Sequence, residues 1–331
     1  MMAVVVASPG HVALQDIPAP RAAPGELLIQ PIACGMCGTD LELIDGSIDP
    51  AYVRYPLVLG HEWVGRVLDD DGEPTGGPVV VEGIIPCGHC DECLIGATNR
   101  CETYDEIGFT RPGALAELIS VPEGLVHYLR PSVSLLDAAL VEPMAVVWRA
   151  LVRTGIRPRS TCLVIGDGTV AMLAVHLMGR FDPSRVSMLG VRPAQRELAL
   201  RAGATEFLLE SPDQHFDVII EAAGHAEAVT TALSSIARGG SITLLGLPPH
   251  GTQVTIIPDD FVNNDITLQG SFSYTRQAWA DVVALLNDGE ITPSFLVTHT
   301  FGIDDFDHAI ETLRTPPPEA ARGKVMMLLN T

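Results

Sequence analysis

The chain has 331 residues, of which 47% are hydrophobic and 18% charged. That is enough apolar material for two packed domains and too few charges for a chain disordered over most of its length. Asp and Glu number 41 against 20 Lys and Arg, a formal charge of −21, and Lys324 is the only lysine. This balance argues against a nucleic-acid or anionic-membrane partner, since both need clustered cations.

No apolar run approaches the ~20 residues of a membrane span. Residues 1–6 are apolar but short and lack a basic flank, so they read as a first strand rather than a secretory signal, and a cytoplasmic location is expected. Seven cysteines without a signal point to metal rather than to disulfides.

The first 145 residues hold short apolar runs broken by Gly and Pro, with strands predicted at 27–33, 64–68, 78–83 and 115–121. A helix is predicted over 144–152, with Pro143 suited to a first turn. A βα alternation follows, with strands at 162–166, 185–190, 217–222, 241–246 and 266–271 and helices at 169–179, 194–202 and 226–236. Such alternation predicts a parallel sheet covered on both faces. The tail predicts a helix at 279–286, a stiff loop at Pro316, Pro317 and Pro318, and a last strand at 324–329.

Cys87, Cys90, Cys93 and Cys101 form C-x2-C-x2-C-x7-C. Four thiolates complete a tetrahedral shell, so this lobe predicts a structural zinc, with His89 a bystander. A second set is dispersed: Cys37, the adjacent His61 and Glu62, and Glu142. One sulfur, one nitrogen and carboxylate oxygens suit a zinc that keeps a position for water or substrate. Gly166-Asp-Gly-Thr-Val-Ala171 has the form G-x-G-x-x-A between a predicted strand and helix. Gly166 permits the tight turn, Gly168 lets backbone approach a pyrophosphate, and Thr169 and Val170 open the helix that faces it.

Together, Gly35-Met-Cys-Gly-Thr-Asp40, Gly60-His-Glu-Trp-Val-Gly65, the cysteine lobe, Glu142-Pro143 and Gly166–Val170 resemble the zinc-dependent medium-chain dehydrogenase/reductase family over essentially the whole chain. The resemblance implies an α/β fold. A GroES-like β-barrel catalytic domain would span 1–145, with the zinc lobe at 87–101. A Rossmann doubly wound parallel-sheet domain would span 146–274, and 275–331 would return to the catalytic domain. It makes Cys37 and His61 the catalytic-zinc ligands, Glu62 the glutamate that approaches or replaces water on the metal, and Glu142 the carboxylate used in the polyol and sugar branch. Thr39 becomes the hydroxyl of a proton relay. Many relatives place a His two residues after Asp40; here Glu42 stands there, so the relay ends either on Glu42 or in water.

The family's pattern also puts Gly190 where an acidic residue would bind the ribose 2′-hydroxyl. A glycine leaves room for a phosphate, and Arg192 and Arg196 follow with guanidinium groups that suit one. NADP is therefore expected rather than NAD, with the Asp167 side chain pointing out of the way. Ser271, in Ser271-Phe-Ser-Tyr274, is similar to the family's segment near the nicotinamide.

The expected activity is hydride transfer between NADP(H) and a secondary alcohol of a polyol, sugar or cyclitol, in a homodimer or homotetramer. The alternatives are an aminocyclitol dehydrogenase of an antibiotic-type pathway, which Glu106-Ile-Gly-Phe-Thr-Arg111 and Gly60-His-Glu-Trp63 resemble and the acidic charge would suit, and a non-catalytic scaffold that binds zinc and nucleotide. A zinc-free quinone or enone reductase is disfavoured by Cys37, His61 and the lobe.

Overall fold

The computed structural model describes residues 1–315 and 319–330; the loop expected at Pro316–Pro318 lies outside them. The chain divides into two compact units. The first comprises Met1–Glu142, Thr275–Pro316 and Lys324–Thr331, and the second Pro143–Tyr274 and Pro317–Gly323.

In the first unit a sheet runs in the order Val126–Tyr128, Pro74–Val81, Glu62–Leu68, Glu26–Met36, Lys324–Leu328, Val297–Gly302, with Ile119–Pro122 also paired to Glu26–Met36. The pairings are antiparallel except that of Val297–Gly302 with Lys324–Leu328. Proline cannot donate to a ladder, and the long strand Glu26–Met36 shifts register between Pro31 and Ala33 against its neighbour. Val4, Ile29, Trp63, Val79, Leu115, Val325 and Met327 belong to one buried cluster. Leu57–Val58 closes a smaller sheet with the hairpin Met2–Ser8 and His11–Asp16.

The strand expected over 115–121 forms only as Ile119–Pro122. Before it, the amides of Ala114 and Leu115 bond instead to the carbonyls of Gly60 and Leu59, at 2.9 and 2.8 Å. That diversion fixes the segment leading into His61. Gly60 holds φ +103°, and a Cβ there would sit 2.7 Å from the Leu115 amide nitrogen, so only glycine fits.

The second unit is built on a parallel sheet in the order Glu206–Leu208, Arg185–Leu189, Thr161–Ile165, Phe216–Glu221, Ile236–Leu244, Thr267–Gly270. Numbered along the chain this is 3-2-1-4-5-6, the doubly wound order of dinucleotide-binding sheets. Helices Thr169–Met178, Arg196–Ala202 and Ala226–Ser235 link successive strands. Thr169–Met178 buries seven of its ten residues, which its nearly continuous apolar sequence demands.

Besides the single turns Asp91–Leu94 and Leu135–Ala138, three longer helices went unread in the sequence. Gly38–Asp45 carries the metal-site segment, Pro258–Asn264 starts on a proline followed by two aspartates, and Phe306–Arg314 buries Phe306, Ala309 and Ile310. The last two carried legible signals, an acidic first turn after Pro and an i, i+3, i+4 apolar stripe. Among the described residues no helix is long and apolar enough to cross a membrane.

Candidate metal centres and dinucleotide site

The first centre lies where the strand Glu26–Met36 runs into the helix Gly38–Asp45. Cys37 is the extended N-cap of that helix, and its amide donates to Asp40 Oδ2 at 2.9 Å. The turn thus holds the thiol at the helix mouth. Opposite it, His61 presents Nε2 to Cys37 Sγ at 3.1 Å. Its other ring nitrogen, Nδ1, lies 3.5 Å from Asp40 Oδ1. At this distance the two make no hydrogen bond, and the carboxylate acts on the ring through its charge. Phe109 packs against the ring at 5.3 Å between centroids.

Ligand atoms of Cys37, His61 and Glu62 all lie within 4.8 Å of one another. Burial pushes the His61 imidazole down, but the Cys37 thiolate and the Asp40 carboxylate outweigh it and hold the ring well above its ordinary range. Burial raises Asp40.

Glu142, expected as a further ligand, is not brought into this group of three. Glu62 is occupied by an ion pair with the ammonium of Lys324, both side chains being almost fully buried. Burial pushes the Glu142 carboxyl up to about 8, with the Glu62 charge adding to the effect. Two carboxylates competing for one place repel each other, and Glu62 has the partner.

Three residues at this site were given no role there by the sequence. Asp40 sets its charge behind His61, Lys324 neutralises Glu62, and Glu106 adds a further carboxylate. Asp40 stood in the Gly-Thr-Asp motif, and the sole lysine of an acidic chain was itself a signal. Glu106 begins a tight turn whose carbonyl accepts the amides of Phe109, Thr110 and Arg111. Its carboxylate is pushed up to about 7 by burial, with the His61 charge acting in the opposite sense. For the relay, Thr39 is half-buried and Glu42 exposed on the helix Gly38–Asp45. Among the described residues no hydrogen bond joins them.

The second centre is the cysteine lobe. The sulfurs of Cys87, Cys90, Cys93 and Cys101 lie within 4.8 Å of one another, and all seven cysteines of the chain are free of disulfides. Backbone amides of His89 and Cys90 pull the Cys87 thiol down to about 6. The His89 ring turns away to the Cys87 carbonyl at 2.8 Å. Four convergent thiols, one already favoured as thiolate, fit a zinc ion with no position left open.

In the second unit the dinucleotide turn has the geometry a pyrophosphate needs. Gly166 holds φ +123°, and a Cβ there would press on Ala222 at 3.0 Å. Gly168 is the extended N-cap of Thr169–Met178 with open space where a side chain would be, and no side chain caps the helix amides. Thr169 and Val170, in the first turn, are half-buried.

Two expectations about the neighbouring loop are corrected. The absent side chain of Gly190 does not leave room for a phosphate: a Cβ there would meet Phe207 at 2.6 Å and Asp167 Cβ at 2.7 Å. Nor does Asp167 point outward. It is buried and accepts the amides of Val191 at 3.0 Å and Arg192 at 2.9 Å. Gly190 is small because Asp167 and Phe207 fill its place. Arg192 is forked onto Asp167 Oδ1, while Arg196 bonds the Phe207 carbonyl at 2.9 Å and lies over that ring. Ser271 is buried and accepts from Arg149 at 2.9 Å.

Residues 23–131 match the model for the alcohol dehydrogenase GroES-like domain, and residues 166–288 match that for zinc-binding dehydrogenases. The chain is 30% identical to the sorbitol dehydrogenase of Bacillus subtilis, over 94% of this chain and 93% of that one. It is 30% identical, with the same two coverages, to the erythritol/L-threitol dehydrogenase of Mycolicibacterium smegmatis. Its fold matches a zinc-binding dehydrogenase from Sinorhizobium meliloti solved bound to NADP, with TM-score 0.89, 27% identity and coverage of 99% and 98%. The chain belongs to the zinc-dependent medium-chain dehydrogenase family. It is accordingly an oxidoreductase of alcohols that uses zinc and a nicotinamide cofactor.

Proposed function

We propose that the protein catalyses reversible hydride transfer between NADP(H) and a secondary alcohol of a polyol, sugar or cyclitol. The observation that carries the reading is the convergence of Cys37, His61 and Glu62, distant in the chain, on one point beside the Asp40 turn. The polyol names of the relatives with 30% identity agree with it.

The donor set of one thiolate, one imidazole and one carboxylate fits zinc with a position to spare. When bound, zinc supplies Lewis acidity toward the substrate oxygen and the nicotinamide accepts the hydride. Cys37 and His61 would hold the metal, with the Asp40 charge behind the imidazole. Glu62, paired with Lys324, is the carboxylate of the set, and Glu142 stands outside it. Thr39, at the mouth of the same helix, takes the hydroxyl proton and passes it to water or toward the exposed Glu42.

Gly166 and Gly168 admit the pyrophosphate to the amides of Thr169–Met178. NADP is favoured over NAD because guanidinium groups gather at the loop after the second strand. The S. meliloti neighbour was solved with the same cofactor.

A second reading, an amine-bearing substrate such as an aminocyclitol, is favoured by Glu106. Among the described residues its carboxylate has no hydrogen-bond partner, and its charge acts on His61 and on Glu142. An ammonium group beside Glu106 would favour the ionised form of its carboxyl, which burial pushes up.

A panel of polyols, aldoses and aminocyclitols, followed by NADPH absorbance, tests both readings. Turnover of neutral polyols is expected from the first and preferential turnover of amines from the second. No turnover across the panel sinks both.

A further inference from the structure

We propose that Glu221 is a positioning residue for the nicotinamide half of the cofactor: its carboxyl joins the loops after the fourth and fifth strands of the parallel sheet into one floor for that half. The inference rests on the family's use of a nicotinamide cofactor and holds for NAD and NADP alike. It concerns a buried acid to which the reading above gives no role.

Glu221 ends the strand Phe216–Glu221 and is fully buried. Its backbone carbonyl accepts the amides of Leu245 at 2.7 Å and Gly246 at 3.0 Å, both from the loop after the next strand. Its Oε1 turns onto its own loop and accepts the amides of Ala223 at 2.7 Å and Gly224 at 2.8 Å. One residue thus takes four amides drawn from two loops.

The two loops meet backbone to backbone. A Cβ on Gly224 would lie 2.9 Å from the Leu247 carbonyl oxygen. A Cβ on Gly246 would run into the Gly224 amide nitrogen and lie 2.7 Å from Glu221 Oε2. No side chain fits between them, so a shift of one loop is passed to the other. Burial pushes the Glu221 carboxyl up, and the amides of Gly224 and Ala223 oppose it. An apolar side chain would fill this place without the cost of burying an acid, but it would leave the two amides without their acceptor.

The place of this floor points to the cofactor. Glu221 pairs on one side with Ile165, the residue before Gly166, and on the other with Leu244. The Ala222 amide donates to the Ile165 carbonyl at 2.8 Å. Ala222 is also the residue that a Cβ on Gly166 would press on. The floor therefore abuts the dinucleotide turn where the strand order reverses. A doubly wound sheet gives one mononucleotide to each of its halves, and the adenosine ribose goes to the end of the second strand. The loops after the fourth and fifth strands are left to the nicotinamide and its ribose. Misplacing a reacting group by about 1 Å costs on the order of 100-fold in rate, so a floor held from beneath matters to the hydride step.

The test compares the two halves of the cofactor on the zinc-loaded protein: NADH and NADPH by nicotinamide fluorescence, 5′-ADP by calorimetry. In Glu221→Ala, affinity for the reduced dinucleotide that the wild type prefers should fall about tenfold or more, while affinity for 5′-ADP stays within about twofold. Glu221→Gln keeps an oxygen for the two amides and should recover most of the loss. Glu221→Asp, one methylene shorter, should not, and it carries the same comparison should Glu221→Ala fold poorly. Equal weakening of both ligands would mark Glu221 as general support of the unit and overturn the positioning role. A dinucleotide affinity unmoved in Glu221→Ala and Glu221→Asp overturns it too, as does a Glu221→Gln protein as weak as Glu221→Ala. A wild type that binds 5′-ADP but neither reduced dinucleotide overturns the hydride-transfer reading as well.

Discussion

The two metal-ligand groups of the first unit are built in opposite ways. The cysteine lobe takes all four sulfurs from Cys87–Cys101, a single loop that needs only its own turns to close. The open centre takes Cys37 from a helix cap and His61 and Glu62 from a strand start, and it needs the sheet and the Leu115–Leu59 contacts to bring them together. A local group depends on its metal for its shape, whereas a dispersed group inherits shape from the fold and can spare a coordination position for chemistry. Removing a ligand should therefore cost stability at the lobe and activity at the open centre.

The largest expected effect is at the open centre. Cys37→Ser should lower kcat by about 1,000-fold or more, since Lewis-acid activation of the alcohol is lost. Metal content should fall from two ions per chain to one, with NADPH affinity and melting temperature nearly unchanged. Near-normal turnover in a preparation retaining one ion per chain would break the assignment of chemistry to this group.

Cys90→Ser should do the reverse. The loop then loses its ion and its closure, and the melting temperature should fall by on the order of 10 °C, about 3 kcal/mol for a unit of this size. Turnover measured well below the transition should fall by less than about tenfold. Scanning calorimetry with metal analysis checks it; an unchanged melting temperature in the metal-poor variant would show that the lobe folds without its ion.

The same contrast explains what was legible in the sequence. The lobe could be read from spacing alone because its geometry is local, and so could the strand-turn-helix around Gly166. The partners of the open centre were legible as residue types, but not how they share their charges. Glu142 stays outside the ligand group while Lys324 pairs with Glu62, a contact between residues far apart in the chain that no spacing encodes. The loop at Gly190 failed for a related reason. A missing side chain reads as empty space, yet the space belongs to whatever packs there, here Phe207 and Asp167. Short-range patterns carry turns and ligand loops; long-range packing decides which charges meet.

The smallest effect tests the outer support of the open centre. Glu26 accepts the Ser120 hydroxyl at 2.7 Å, the Arg111 guanidinium at 3.2 Å and the Ala23 amide at 3.3 Å. It thereby pins the end of the turn that carries Glu106 and Phe109 toward His61 to the strand edge. The Ser120 hydroxyl chiefly holds its carboxyl below the usual 4.5, against a smaller opposing effect of burial. A carboxyl depressed in the folded state stabilises only while ionised. Its contribution is complete above the unfolded value of 4.5 and is lost as pH falls through the folded one. Glu26→Gln should therefore cost about 1 kcal/mol at pH 7, and the two proteins should converge in stability as pH falls below 4.5 and through the folded value. Denaturant titrations between pH 3 and 7 measure it. Because the ligands of the open centre are positioned by other contacts, the variant should keep both metal ions. Loss of the open-centre ion in Glu26→Gln would mean that the turn, and not the sheet, holds His61 in place.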